Sequence, residues 1–242
     1  MNPETDRFYE EDFHRLHYED HVGAYTGFQH RMLERGLPEV GTGGRVLEVG
    51  AGRGEHLAFV RGCRGAYVML DLRDRSSDIA ASPVAQHLSR SFMVGSGEEL
   101  PLRDDCVDRL IATCLVLHLT HPDRAFQEWR RVCRDGATLS LLLPCDPGML
   151  YRWGRHWVVH RRLARLADLP MAHVKYLWAY EHRNHYLAIV SMLRWHFRAD
   201  RMTIRRYPLR WGSWNMNVFT IVRITVVKPG PRIGATVTTQ PD

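Results

Sequence analysis

The residues with the clearest chemical content lie between 45 and 54. Val46-Leu47-Glu48-Val49 reads as a buried strand, and Gly50-Ala51-Gly52-Arg53-Gly54 follows it directly. Glycines at alternate positions allow a closeness of backbone approach that a Cβ would block. Glu48, at the end of the strand, places a carboxylate where it can meet a cationic group. A glycine turn at the carboxyl end of a first parallel strand is where open α/β sheets bind nucleotide-like ligands. Asp71 ends the next apolar run, and an acid at the tip of a second strand accepts hydrogen bonds from a ribose diol. Further along, His118 and His121 sit where a fourth apolar run opens into a loop, and an imidazole there can take a proton from a nucleophile. His118/His121 and His182/His185 share H-x-x-H spacing, which puts two rings on one face of a helix. No carboxylate or cysteine is placed to complete a metal set, so no metal is expected.

These groups need a scaffold that gathers strand ends along one edge. Residues 1–42 read as helical, with aromatics at helical spacing that suit a helix docked on a sheet or a lid over a ligand. Strands are expected at 46–50, 66–70, 91–94, 108–114 and 137–143. Helices are expected to start at 55, 78 and 124, and Gly136 is suited to a left-handed helix C-cap. After Pro144 the character changes to helices over 149–169 and 173–198, then strands at 202–207 and 218–227. Strands alternating with helices, followed by two final strands, predict a seven-stranded, mostly parallel α/β sheet of Rossmann-like type with an antiparallel edge strand. The chain divides into an N-terminal helical lid (1–42), a ligand-binding core (43–145), a helical substrate cap inserted after the fifth strand (146–200), final strands (201–228) and a flexible tail (229–242).

Composition narrows the class. The chain of 242 residues has no apolar run of membrane-spanning length, and its polar, acidic start is not a signal peptide. Five cysteines without C-x-x-C spacing suit reduced thiols of a cytoplasmic protein. Lys plus Arg number 33 against 27 for Asp plus Glu, and only Lys175 and Lys228 are lysines. Arginine suits bidentate contact with phosphate or carboxylate, although an arginine-heavy chain also follows from a GC-rich genome.

With the motifs placed, the chain resembles the class I S-adenosylmethionine-dependent methyltransferases. Four features carry the resemblance in chain order: Glu48-x-Gly50-x-Gly52-x-Gly54; Asp71; Gly95-Ser96-Gly97-Glu98-Glu99-Leu100-Pro101-Leu102 with Asp104 and Asp108; and Leu115-Val116-Leu117-His118-Leu119 through Glu128, Arg131-Val132 and Gly136. It covers about residues 43–145. A dinucleotide-binding turn, the competing reading, needs glycine where this chain has Glu55. In many family members an aspartate stands at the place of Ser96, so Ser96 or Glu98 would accept the adenine amino bond here.

The resemblance implies S-adenosylmethionine as cofactor. It implies cofactor contacts from Glu48, Gly50, Ala51, Gly52, Asp71, Leu72, Ser96, Gly97, Glu98, Cys114 and Leu115, with Tyr25 and Arg31 from the N-terminal segment. It sets His118 toward the transferred methyl, with His121 as the second catalytic candidate. Acceptor contacts are expected from Tyr9, Tyr18 and His21, from Trp153, Trp178, Glu181, His182 and His185, and from Trp214 and Asn215. Any single aromatic among these also serves as packing; as a group they suggest a polar or ring-shaped acceptor. The resulting expectation is N- or O-methylation of a small molecule, an aminosugar, sugar or nucleoside in antibiotic tailoring, by a monomer or homodimer without a membrane or nucleic-acid partner. An RNA methyltransferase is the alternative, motivated by the net charge of +6, and a non-catalytic binding protein is a third reading.

Overall fold

The computed structural model of the protein describes residues 22–81 and 89–228. Tyr9, Tyr18, His21 and the expected tail at 229–242 lie outside them. The first helix, α1, spans Val22–Glu34. Strands follow as β1 (Arg45–Val49), β2 (Ala66–Asp71), β3 (Ser89–Val94), β4 (Val107–Thr113) and β5 (Cys133–Pro144), with helices α2 (Ser76–Ala81) and α3 (Pro122–Val132) between them. The cap holds α4 (Met149–Gly154), a π-helical turn (Arg155–His160), α5 (Arg161–Leu166), α6 (Met171–Glu181) and α7 (Tyr186–His196). β6 (Arg201–Tyr207) and β7 (Phe219–Thr225) complete the sheet.

The strand order is β3-β2-β1-β4-β5-β7-β6. β1 to β5 pair in parallel, whereas β7 runs antiparallel to both β5 and β6. The antiparallel strand is therefore set one place in from the edge, and β6 closes the sheet. β1, β2, β4 and β5 are nearly continuous apolar runs because both faces are covered. Alternate residues go to opposite faces. Leu47, Val49, Leu110 and Leu139 pack with Phe126 and Trp129 of α3 and Ile189 and Leu193 of α7. Val46, Tyr67, Met69 and Ile111 pack with Leu33 of α1 and with Leu57.

Three local expectations are corrected. α3 stops at Val132 because Cys133 is already extended, so Gly136 is no helix cap. It lies inside β5 at φ 76°, where the register jumps from Val107↔Cys133 to Arg109↔Thr138. A left-handed residue accommodates that bulge. The helix expected from Glu55 is only a 3-10 turn, Glu55–Phe59. The helix expected over 173–198 is two helices, broken at 182–185.

α1 is fixed from two sides. Arg223 of β7 donates to the carbonyls of Met32, Leu33 and Arg35 at its C-terminus, where a cation is favoured by unpaired carbonyls and helix dipole. Beneath it, Glu34 is buried. Its Oε1 lies 3.0 Å from His56 Nε2, and its Oε2 accepts from Arg61 N–H and meets Arg109 Nη2 at 3.4 Å. Burial acts to raise the Glu34 carboxyl, but His56 and Arg109 outweigh it and hold its pKa below the usual range. Removing one partner of a buried ion pair leaves an uncompensated charge. Arg109→Ala is expected to destabilise the fold by about 3–5 kcal/mol in urea unfolding; a loss under about 1 kcal/mol would show that water takes over the guanidinium's role.

Candidate active site

The site is built at the carboxyl edge of β1, β2, β4 and β5. As β1 ends, Gly50, Gly52 and Gly54 take φ of 70°, 54° and 82°, a region closed to most side chains. A Cβ on Gly50 would come within 2.8 Å of Leu115 Cδ1. Gly50 and Ala51 N–H both donate to Leu70 O, at 2.8 and 3.1 Å. Gly52 N–H donates to Asp71 Oδ2 at 2.9 Å, and Arg73 N–H donates to Asp71 Oδ1 at 3.2 Å. Asp71 thus braces the glycine turn from the neighbouring strand. One bond to each oxygen leaves lone pairs on both for a diol. Beside it, Leu72 is 72% exposed, an apolar side chain open to a flat ring.

Glu48 lies deeper than expected. It is 1% exposed, and Tyr67 Oη donates to its Oε2 at 2.8 Å. Burial pushes its pKa up to about 7, against the opposing pull of His56 and Tyr67. It belongs to a polar layer under the turn that continues through His56, Glu34 and Arg109. His30 and His56 face each other Nδ1 to Nδ1 at 2.7 Å, so one nitrogen carries the proton and the other accepts it. Burial, with His56 adjacent, takes His30 down to about 3.

The segment after β3 packs against the turn. A Cβ on Gly97 would meet Val49 Cγ1 at 2.7 Å, and Gly97 O accepts from Trp129 Nε1 at 2.9 Å. Ser96 Oγ accepts from Glu98 N–H. Glu98, expected as an adenine acceptor, has its Oε1 taken by the N–H groups of Thr120 and His121, at 2.7 and 2.8 Å. The carboxylate satisfies unpaired donors at the start of α3, where the helix dipole also favours it.

Cys114 directly follows β4 at φ 53°. A non-glycine residue held there is strained, and such strain gathers at functional sites. Burial raises its thiol pKa to about 12. The loop that follows is stitched to the α6–α7 connection. Asn184 Nδ2 donates to Val116 O and Leu119 O, at 3.0 and 2.7 Å. His118 Nδ1 lies 3.2 Å from Glu181 O, a pairing only Nδ1–H can make as donor. Burial, with His182 and Arg183 near, lowers the His118 pKa well below the ordinary imidazole value. At neutral pH the ring is therefore neutral and its Nε2 is the acceptor. His121 is exposed and starts α3 as its N-cap residue, without a side-chain cap bond.

The cap residues divide. His182 Nδ1 lies 3.0 Å from Asp146 Oδ2, which also accepts from Arg155 Nη1 at 2.7 Å. Burial tends to raise Asp146, but His182 and Arg155 prevail and keep its pKa below the usual range. Trp178 is buried in the cap's core with Leu163, Val174 and Leu177. Trp214 stacks on Tyr186, and Asn215 Oδ1 accepts from Met149 N–H at 2.7 Å. Trp178, His182, Trp214 and Asn215, expected at an acceptor, are thus engaged in holding the cap together and to the sheet. Trp153 and His185 are exposed, and Glu181 is partly buried beside His118. Arg31 lies over the Phe59 ring. Tyr25 stands edge-on to Phe219, and burial pushes its phenol pKa up. Burial raises the Tyr151 phenol in the same way. Asp146 and Tyr151 were not singled out from the sequence. The available signal was an acid directly after the fifth strand, in the position Asp71 has after the second. Among the described residues no cluster suited to a metal is found.

Residues 47–141 match the family model described as a methyltransferase domain. A malonyl-acyl-carrier-protein O-methyltransferase of Geobacter sulfurreducens is 35% identical over 127 residues, covering 50% of this chain and 47% of that protein. A ubiquinone/menaquinone biosynthesis C-methyltransferase of Rubrivivax gelatinosus is 23% identical over 186 residues, 72% of each chain. The chain spans about half the length of the first curated relatives it matches. Among solved structures, an S-adenosylmethionine-dependent methyltransferase of Thermotoga maritima, a possible histamine N-methyltransferase, shares the fold with TM-score 0.62 and 15% identity over 91% of this chain and 97% of that one.

Two outcomes test this geometry. Asp71→Ala is expected to weaken S-adenosylhomocysteine binding by calorimetry at least about tenfold, the loss of a charge-assisted bond; unchanged affinity would remove Asp71 from the site. Glu48 has a folded-state pKa above its unfolded one, so between pH 4.5 and 7 the folded state binds the extra proton and stability falls as pH rises. Glu48→Gln is expected to remove that slope, gaining up to about 3 kcal/mol on wild type by pH 7. Parallel stability–pH curves for the two proteins would contradict it.

Proposed function

We propose that this chain, whose residues 47–141 match a methyltransferase-domain family, is a class I S-adenosylmethionine-dependent methyltransferase that methylates a nitrogen or oxygen atom of a polar small molecule. S-adenosylmethionine carries its methyl on a sulfonium, so the protein's tasks are to bind it, align the acceptor and exclude water. The residues fit that group. The backbone of Gly50, Ala51 and Gly52 would lie along it, Asp71 would take the ribose hydroxyls, and Leu72 with Gly97 would flank the adenine. A Cβ at Gly50 or Gly97 would clash with Leu115 or Val49, so glycine there lets the turn and the segment after β3 pack closely at the sheet's edge.

One observation supports proton removal during transfer, which a hydroxyl or ammonium acceptor needs: the tautomer of His118. With Nδ1–H directed to Glu181 O, the Nε2 lone pair is available, and a hydroxyl or ammonium acceptor must lose a proton during transfer. His118 would receive it. Tyr25, Tyr151 and the exposed His185 would border the acceptor. An aminosugar, sugar or nucleoside suits such aromatic and polar borders, because rings stack while hydroxyls and amines find partners.

The reaction is tested by incubating the protein with methyl-labelled cofactor and separate pools of amines, sugars, nucleosides and RNA. Label is expected in a small-molecule pool; label in RNA alone would favour the RNA reading. His118→Ala is expected to lower kcat by about 10²–10⁴ with S-adenosylhomocysteine affinity unchanged. Wild-type kcat in that variant would reduce His118 to a packing residue.

A further inference from the structure

The cap's outer face has no role in the site described above. Along α4, the π-helical turn and α5, Met149, Trp153, Trp157 and Val158 stand exposed, with Trp153 at 64% and Trp157 at 48%. Two tryptophans four positions apart on a helix lie on one side of it. The loop that carries Asn215 adjoins this stretch through the Met149 N–H bond. It adds exposed Leu209 and Met216, and Trp211 at 98% exposure. Exposed apolar groups gathered in one region mark an interaction site.

The same stretch is strongly basic. Between 147 and 180 stand five arginines and Lys175 against a single acid, Asp168. Arg152, Arg161 and Arg165 are exposed among the tryptophans, and the Arg161 guanidinium lies 4.1 Å from the Trp157 ring centroid. The buried side of these helices packs with α6 through Leu163 and Val174, so the outer face is presented on a formed subdomain.

We propose that this face docks on the surface of a bilayer containing anionic phospholipids. Tryptophan side chains sit at the headgroup level, apolar body inward and indole N–H toward water. Arginines beside them meet the lipid phosphates, and their effect adds up near an anionic surface. Helices with aromatic and aliphatic residues next to basic ones lie in that interface without crossing it. Among the described residues no helix is long and apolar enough to cross a membrane, and the proposed contact is with the surface alone. Charge decides against a second copy of the chain, since a two-fold contact would appose two arginine-rich faces. The aliphatic Met149, Val158, Leu209 and Met216 decide against single-stranded nucleic acid, whose bases stack on aromatic rings. The docking stands independently of the transfer reaction proposed above.

Co-sedimentation of the full chain with phosphatidylcholine vesicles, with and without phosphatidylglycerol, tests it. At about 0.1 M salt the protein is expected to pellet with the phosphatidylglycerol vesicles and to stay in solution with phosphatidylcholine alone. The W153S/W157S variant, and separately W211S, is expected to bind about tenfold more weakly while keeping wild-type circular dichroism and S-adenosylhomocysteine affinity. A wild-type protein that ignores both vesicles, or variants that bind as wild type does, would overturn the proposal. So would retention by single-stranded RNA without vesicle binding, or dimerisation abolished by the same substitutions.

Discussion

The buried carboxylate of Glu34 is the constraint on which the site's geometry depends. Four parts of the chain converge on it: α1 through Glu34 itself, the 3-10 turn through His56, the following loop through Arg61 N–H, and β4 through Arg109. A charge removed from water is tolerated only where its lone pairs are taken up. Satisfying Glu34 therefore sets where α1 lies on the sheet and how the chain leaves the glycine turn. Glu48 and Tyr67 extend the same polar layer directly beneath the turn. The turn's backbone, which supplies the expected cofactor contacts, is held from below by this buried layer.

At the sheet's carboxyl edge two acids do related work. Asp71, ending β2, takes the Gly52 and Arg73 N–H groups and fixes the turn. Asp146, just past β5, takes His182 and Arg155 and fixes the cap. Between them, the loop after β4 is clamped by Glu98 on one side and Asn184 on the other. His118 owes its position to both clamps, and its tautomer to a carbonyl on the cap. The methyl-transfer reading thus joins the cofactor half and the cap half of the molecule at one imidazole.

Much of the scaffold was legible in the residue order. Apolar runs of five to seven residues ending in Gly50, Asp71 or Cys114 identified central strands, because a strand covered on both faces must be apolar throughout. Alternating glycines identified the turn, because positive φ and close approach are properties of the residue itself. The partners of several expected site residues were not legible, for one reason. Glu98, Trp178, His182, Trp214 and Asn215 all had chemistry suited to a ligand, and each is bonded or packed to a group more than thirty positions away or in another element. For Glu98 the partner N–H groups lie 22 and 23 positions on. Gly136 was read as a helix end when it serves a bulge, which depends on the neighbouring strand's register.

By itself the sequence determined the period of each segment, the conformations open to its glycines, and the order of strand, turn and acid that marks the cofactor crevice. These follow from local sterics and from solvent exposure averaged along an element. Only the tertiary structure decided which polar side chains remain available. A carboxylate or imidazole binds whichever donor or acceptor the fold brings within about 3 Å. That proximity is set by packing between elements distant in sequence, so Asp71 keeps lone pairs beside the turn while Glu98 helps to hold the loop after β4 and His182 the cap.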